Sequence, residues 1–412
     1  MAGLLLPAFQ KFYSAVSSLE RFNTENNFFD NISSLDTFFS EYRNITFVIQ
    51  KSLKNTEYNS IYEKNRDKYL TDHWFVEKRN ETIKQQPFQL IKHIEITVFS
   101  PGSGVKVLSE DFSIENDTPI KDIIDSMKEF FLKINPIEVF FSAKYSFYEK
   151  GNDTNIWNKI NSGLTVMYAF MEAMYQDIGS ICDICNQLRK KIKEIVQILQ
   201  VHDIRLVDDY IYYPQKDEFE RGDYIAAIIG DENDKTISRM PLKNFMQTGV
   251  FNYDGTAFGK FALMHAVMIS TQRDLMPTFM IIYKDETFDL ISYHSTIKTT
   301  VYRKINEIAE LIKTDIVKEV FYMTIYCLCK ASADILYKTT KERQEIAEHE
   351  FLVCMKADDS LNAMEYVFEC DKAKDLNYIA HCMKYGPKAC LEMGKINFMP
   401  IVNAFKEKSN DL

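Results

Sequence analysis

The stretch TFMIIYKDETFDLISY, residues 278–293, decides the fold of the C-terminal half of the chain. Thr278–Tyr283 and Thr287–Tyr293 are rich in β-branched and aromatic residues and flank a short polar turn, so the pattern predicts two paired strands. Lys298–Ile312 follows with apolar residues at helical spacing and predicts an amphipathic helix. Val317–Leu328 is an almost continuous apolar run, which is typical of either a central strand or a buried helix.

The flanking sequence extends this block on both sides. Tyr224–Ile229 is a short apolar strand, Phe258–Ser270 returns to a helical pattern, and Phe351–Met355 and Met364–Phe368 indicate one more strand pair. Closing helices are predicted around residues 374–383 and 398–405. We therefore expect residues 203–412 to form an α+β domain, with a ββαβββ layer, a mainly antiparallel sheet and helices on one face.

The N-terminal half is predicted to be rich in helix. Residues 8–88 have helical periodicity, and one apolar face contains Leu35, Phe38, Phe39, Tyr42, Ile45, Thr46 and Ile49. His93–Phe99 and Val105–Leu108 alternate around a glycine-containing turn and predict an inserted β-hairpin. Phe140–Tyr148 suggests a buried helix, and Ile156–Val201 a single long one. The fold class is therefore α+β, with an α-rich half over residues 1–90 and 91–202 followed by the domain at 203–412.

Composition narrows the classes of function. The chain has 46% hydrophobic and 26% charged residues, as an ordinary globular protein does. A formal net charge of -10 opposes non-specific binding to DNA or RNA, although it does not exclude a local basic patch. No signal-like segment and no membrane-length apolar run is recognisable, so we expect a cytoplasmic protein with reduced thiols and no membrane association. Richness in Lys, Asn and Ile favours a low-GC genome, bacterial or phage.

Three motifs invite a chemical interpretation. Cys182-x-x-Cys185 is a metal or redox candidate, but no second cysteine pair completes a zinc site, and packing in the core of the long helix is the favoured interpretation. Glu345, Glu348 and His349 lie close together on a predicted helix, where a salt-bridged surface is favoured over a metal site. Asp254–Lys260 lacks the Ser or Thr that follows the lysine of a phosphate loop. We expect no cofactor and no bound metal.

One resemblance is more specific. The segments EYRNITFVIQK at 41–51 and WFVEKRNE at 74–81 resemble the helical core of the HEPN superfamily, over residues of about 30–90. The resemblance implies a small helical bundle of the kind found in bacterial toxin and phage-defence proteins, which often cleave RNA without metal and commonly dimerise. Catalysis in that family depends on an Arg, usually followed by a polar residue such as Asn, and on a His shortly afterwards.

Arg79 and Asn80 match the first part of that motif, whereas Ile83, Lys84 and Gln85 occupy the window of the His. Arg79 can stabilise phosphate charge but cannot act as a base at neutral pH, so His73 or His93 would have to arrive from another turn or another subunit. The structural alternative is that Arg79 pairs with a carboxylate inside the bundle, with Glu41 and Asp72 as the candidates.

Three functions remain open from the sequence. The first is a bacterial defence or toxin-type accessory protein whose HEPN-like domain dimerises and contacts or cleaves RNA through Arg79 and Asn80. The second is a non-catalytic scaffold that binds a protein partner. The third is a metal-dependent hydrolase at Glu345, Glu348 and His349.

Overall fold

A computed structural model describes residues 3–22, 27–84, 86–179, 182–200, 206–222, 224–229, 239–247, 255–271, 276–295, 297–314, 316–330, 332, 334–373, 375–385 and 398–410. The chain divides into two compact units. Unit 1 comprises residues 1–95, 111–126 and 144–207, and unit 2 comprises residues 96–110, 127–143 and 208–412. The three-part division expected from the sequence stays a prediction.

The first half of the chain contains helices α1 to α7 and strands β1 to β3. In chain order they are α1 (Leu6–Leu19), α2 (Phe28–Leu53), α3 (Asn59–Tyr69), α4 (Trp74–Lys84), β1 (Leu90–Phe99), β2 (Lys106–Ile114), α5 (Ile120–Ile134), β3 (Val139–Glu149), α6 (Ile156–Ile178) and α7 (Asp183–Gln200). The helical pattern of residues 8–88 and the hairpin are confirmed, and the apolar stripe of α2 is buried as predicted.

Two predictions in this half are wrong. Phe140–Tyr148 belongs to β3, the central strand in a five-stranded sheet of order β2-β1-β3-β4-β5, rather than to a helix. The first half of this strand, Val139–Ala143, is buried on both faces, so its sequence lacks the alternation that would have indicated a strand. The long helix is interrupted at Gly179, which caps α6 in the left-handed conformation with φ +64°.

The second half of the chain contributes the remaining elements. In chain order they are β4 (Val207–Tyr213), β5 (Glu218–Arg221), β6 (Tyr224–Ile229), β7 (Met240–Pro241), α8 (Leu242–Gln247), α9 (Ala257–Thr271), β8 (Thr278–Tyr283), β9 (Thr287–Ser295), α10 (Lys298–Lys313), β10 (Val317–Cys329), a short 3₁₀ turn (Ile335–Tyr337), α11 (Thr340–Glu345), β11 (Ala347–Asp358), β12 (Ala363–Glu369), α12 (Cys370–Ala373), α13 (Leu376–Tyr385) and α14 (Met399–Asn410). The other strands and helices predicted in this half are confirmed, and the apolar run at 317–328 is a strand, but the helix expected to contain Glu345, Glu348 and His349 ends at Glu345.

A seven-stranded sheet forms the centre of unit 2. Its order is β12-β11-β10-β8-β9-β6, with β7 also paired to β9, and the strand pairs are antiparallel. The expectation of helices on one face is wrong, because α9 and α13 pack on one face and α10 and α14 on the other. Strand β10 shows why: Phe321 and Met323 are buried in one core, and Val320 and Tyr322 in the other.

Candidate functional site at helix α4

Helix α4, which contains both predicted site residues, is fixed at its first turn. The side chain of Asp72 accepts a hydrogen bond from the backbone N–H of Trp74 at 3.0 Å and so begins the helix. Phe75 stacks on Tyr42 of α2 with ring centroids 4.5 Å apart. Phe75 also fills the space beside Gly163 of α6, where a Cβ atom would lie 2.1 Å from its Cζ. These contacts determine which face of α4 is buried within unit 1.

Arg79 is half-buried one turn after Phe75, and its guanidinium is directed by its neighbour. Nη1 of Arg79 donates a hydrogen bond to Oδ1 of Asn80 at 3.3 Å. The Nε atom is buried and has no hydrogen-bond partner within the part of the chain that the structure describes. The preceding Lys78 donates to Glu81 and Glu149 and is occupied by them. The structure therefore brings Arg79 and Asn80 together as a pair of adjacent polar groups.

The two carboxylates proposed as internal partners of Arg79 are engaged elsewhere. Glu41 lies 2.9 Å from the ammonium of Lys11, and Asp72 lies 2.6 Å from that of Lys159. Partial burial opposes ionisation of Asp72, but Lys159 and the N–H of Trp74 outweigh it and lower its pKa. Among the described residues, no carboxylate oxygen lies within 4.0 Å of the Arg79 guanidinium. The alternative of an internal ion pair with Glu41 or Asp72 is therefore wrong.

Neither candidate imidazole hydrogen-bonds to this pair. His73 precedes α4 and is exposed, and its backbone carbonyl accepts from the N–H groups of Val76 and Glu77. Nδ1 of His93 lies 3.4 Å from Oγ of Ser146, and Nε2 lies 3.8 Å from a carboxylate oxygen of Asp111. The side chains of Ile83 and Lys84, and the whole of Gln85, lie outside the described residues.

The helical arrangement behind the metal-site alternative is wrong. Glu345 is the last residue of α11, whereas Glu348 and His349 lie in β11. Successive residues of a strand point to opposite faces, so Glu348 and His349 diverge. Among the described residues, no group of three or more His, Cys, Asp or Glu side chains is placed to hold a metal ion.

The structure also reveals charged groups that the sequence analysis missed. In unit 2, Arg303 of α10 and Asp209 of β4 form a buried ion pair, with Nε to Oδ1 at 3.0 Å and Nη2 to Oδ2 at 3.1 Å. Nη1 of Arg303 donates to Glu307 at 2.9 Å. Partial desolvation opposes ionisation of Glu307, but Arg303 and Lys304 outweigh it and lower its pKa to about 2. Arg303 and Asp209 are 94 residues apart, so no local pattern could have indicated the pair.

Comparison with protein-family models, with curated proteins and with solved structures finds no match for this chain. The described helices include none with the length and apolar character that crossing a membrane requires.

Proposed function

We propose that unit 1 is an RNA-binding helical module in which Arg79 and Asn80 contact the phosphodiester backbone. The observation that carries the proposal is that the guanidinium of Arg79 is half-buried without a carboxylate partner among the described residues, while Glu41 and Asp72 are neutralised by lysines. Removing a guanidinium from water without an opposite charge is unfavourable, so such a site is stabilised when an anion binds.

The chemistry of the pair suits a phosphate group. A guanidinium presents a planar set of N–H donors that matches two phosphate oxygens, which an ammonium cannot do. Because Oδ1 of Asn80 accepts from Arg79, the amide NH₂ of Asn80 remains the group that can donate to a ligand. The two side chains therefore offer neighbouring donors for one phosphodiester or for a phosphate and the adjacent 2'-hydroxyl.

Binding, rather than cleavage, is the activity that the pair can perform alone. Cleavage of RNA without metal requires a group to accept the 2'-hydroxyl proton, and a guanidinium does not serve as that base. Cleavage by this chain would need an imidazole beside Arg79. In our proposal a second copy of the chain supplies it, so the reaction would take place at a homodimer interface. The bacterial defence role and the cytoplasmic location belong to the same proposal.

A second copy of the chain is the partner proposed for helix α2. Phe29 and Phe47 are 65% and 59% exposed, which is unusual for phenylalanine. They are 18 residues apart, which is five turns at about 3.6 residues per turn, so both lie on one face of α2. An exposed pair of aromatic side chains on one helix face is suited to packing against the same face of another copy.

The experiment that tests RNA binding compares two arginines of unit 1. Arg66 of α3 is the matched control, because its guanidinium is already paired with Asp67 at 2.7 Å. Binding of fluorescently labelled single-stranded RNA is followed by anisotropy for the wild type, Arg79→Ala, Arg79→Lys and Arg66→Ala. We expect Arg79→Ala to weaken binding by about tenfold or more, as for loss of a charge-assisted hydrogen bond, and Arg79→Lys to restore only part of it.

Arg66→Ala is expected to stay within about twofold of the wild type, since an exposed ion pair contributes little. Equal losses in Arg79→Ala and Arg66→Ala would mean that only net charge matters and would contradict the proposed site. Absence of any RNA binding by the wild type at low salt would refute the function and leave the scaffold alternative. Gel analysis of the same RNA, with and without a chelator, separates binding from metal-independent cleavage.

A further inference from the structure

The first turn of α7 places two thiols in unequal environments. The backbone N–H of Asn186 donates to the carbonyl of Cys182 at 2.9 Å, so Cys182 is the residue that caps the helix. Cys185 lies within the first turn and is only 2% exposed, whereas Cys182 is partly exposed. The expectation that both cysteines pack in the core of one long helix is therefore correct for Cys185 and wrong for Cys182.

The sulfur of Cys182 occupies the position of a capping oxygen. Cys182 immediately precedes Asp183, the first residue of α7, and lies three residues before the buried Cys185. Hydrogen bonding by the backbone N–H and the thiol of Cys185, with a smaller contribution from the N–H of Ile184, lowers the pKa of Cys182 against desolvation and the carboxylate of Asp183. Burial, together with the contact with Cys182, raises the pKa of Cys185 to about 12, and Arg189 opposes this increase.

This turn is held firmly by α6. Nε of Arg189 donates to Glu172 at 2.7 Å, and the Arg189 guanidinium lies 4.1 Å from the centre of the Tyr175 ring. The hydroxyl of Tyr175 donates to Asn186 at 2.8 Å. These contacts join α6 to α7 next to Cys182 and Cys185. The turn that contains the two cysteines is therefore fixed by side-chain contacts between α6 and α7.

We propose that Cys182 and Cys185 form a thiol–disulfide exchange site that is oxidised by a low-molecular-weight disulfide such as glutathione disulfide. An accessible sulfur at the N-cap of a helix, three residues before a buried thiol in the first turn, supplies the attacking and the resolving group in one turn. The inference is independent of RNA binding, since it uses neither Arg79 nor Asn80.

The exchange proceeds in two balanced steps. The Cys182 thiolate attacks one sulfur of glutathione disulfide, forms a mixed disulfide and releases one glutathione thiolate. Cys185 then loses its proton to solvent and attacks the Cys182 sulfur, which closes the protein disulfide and releases the second glutathione thiolate. Two protein thiols are oxidised and one glutathione disulfide is reduced to two thiols.

Closing the disulfide requires a small local movement. Residues three apart on a helix have Cβ atoms about 5–6 Å apart, whereas a disulfide needs about 3.5–4.5 Å. The first turn of α7 must therefore tighten by about 1–2 Å. Cys182 is half outside the helix, so its backbone can supply this movement while Cys185 stays packed.

The first test measures reactivity in the full-length wild type. The protein is alkylated briefly with iodoacetamide between pH 6 and 9, and modification of each cysteine is quantified by peptide mass spectrometry. Cys327 is the comparator, because its side chain is accessible and its pKa is raised by partial desolvation and by the carboxylate of Glu350. Cys182 is expected to react several times faster than Cys327 at pH 7, with the difference shrinking at pH 9. Equal or slower reaction of Cys182 at pH 7 overturns the proposal.

The second test follows oxidation by glutathione disulfide. The wild type is expected to give a Cys182–Cys185 disulfide, Cys185→Ser a stable glutathione adduct at Cys182, and Cys182→Ser neither product. Because Cys185 is buried, Cys185→Ala is used in parallel, and circular dichroism shows that each variant is folded. A wild type that keeps both thiols alkylatable, or that accumulates the Cys182 adduct without closing the disulfide, contradicts the site.

Discussion

The buried ion pair of unit 2 gives the sharpest prediction about stability. The side chains of Arg303 and Asp209 are 5% and 2% exposed. Asp209→Asn keeps the shape of the side chain but removes its charge, which leaves the buried Arg303 beside the carboxylate of Glu307, whose side chain is 40% exposed. Loss of one member of a buried ion pair costs about 3–5 kcal/mol. We expect a decrease near the lower end of that range, because Glu307 retains part of the compensation.

The preceding residue of the same strand is a matched control. Asp208 pairs with Arg221, whose side chain is 43% exposed. The side chain of Asp208 is 9% exposed, but solvent reaches the Arg221 guanidinium and hydrates it once its partner is neutral, so Asp208→Asn should cost only about 1 kcal/mol. The two variants change the same chemical group at adjacent positions of β4. A difference between them therefore reports the burial of the ion pair rather than the loss of a negative charge.

Hydrogen exchange followed by mass spectrometry is the appropriate assay, because two compact units need not unfold in one transition. Peptides covering β4 and α10 should exchange about a hundredfold faster in Asp209→Asn, and little faster in Asp208→Asn. The double variant Asp209→Leu/Arg303→Met removes both charges and should recover most of the protection. Equal protection in the two single variants, or a double variant as weak as Asp209→Asn, would refute the reasoning.

Three further predictions concern single side chains. Burial lowers the pKa of His265 from 6.5 to about 4, so between these pH values the unfolded chain binds a proton that the folded chain does not. The free energy of unfolding should therefore decrease by about 3 kcal/mol as the pH falls from 7 to 4. Chemical denaturation should show this pH-dependent decrease in the wild type and not in His265→Asn, and the same pH profile in both proteins would contradict the prediction. Gly163→Ala places a methyl group against Phe75 and should destabilise unit 1 by about 1–3 kcal/mol in thermal unfolding, whereas the exposed Ser162→Ala should not, and equal transitions would count against the packing. Phe47→Ser should lower the apparent mass in sedimentation equilibrium, and a wild type that is already monomeric would exclude α2 as a dimer face.

Local sequence patterns predicted the elements whose burial is simple. The paired strands at 278–293 have a polar turn between them, and the apolar stripe of α2 repeats at helical spacing, so each pattern has only one structural solution. Strand β3 was misjudged because its first half, Val139–Ala143, is buried on both faces and hides the alternation that its second half shows. The long helical pattern likewise concealed Gly179, since side chains on both sides of a break can continue the same apolar face.

The candidate sites were only partly accessible to sequence reasoning. Arg79 and Asn80 are adjacent in the chain, so their contact follows from the motif. Glu41 and Asp72 form ion pairs with Lys11 and Lys159, which belong to other helices. No spacing rule in the sequence could have predicted these pairs. The spacing of Cys182 and Cys185 was visible in the sequence. Their position at the first turn of α7, rather than inside one long helix, follows from the end of α6 at Gly179, three residues before Cys182.

Photocrosslinking is the most direct test of RNA binding at Arg79 and Asn80, because it identifies the residues that RNA contacts. Single-stranded RNA containing 4-thiouridine is irradiated with the full-length protein, and crosslinked peptides are mapped by mass spectrometry. We expect crosslinks within α4, Trp74–Lys84, that disappear in Arg79→Ala and persist in Arg66→Ala. Crosslinks confined to unit 2, or crosslinks in α4 that survive Arg79→Ala unchanged, would contradict it.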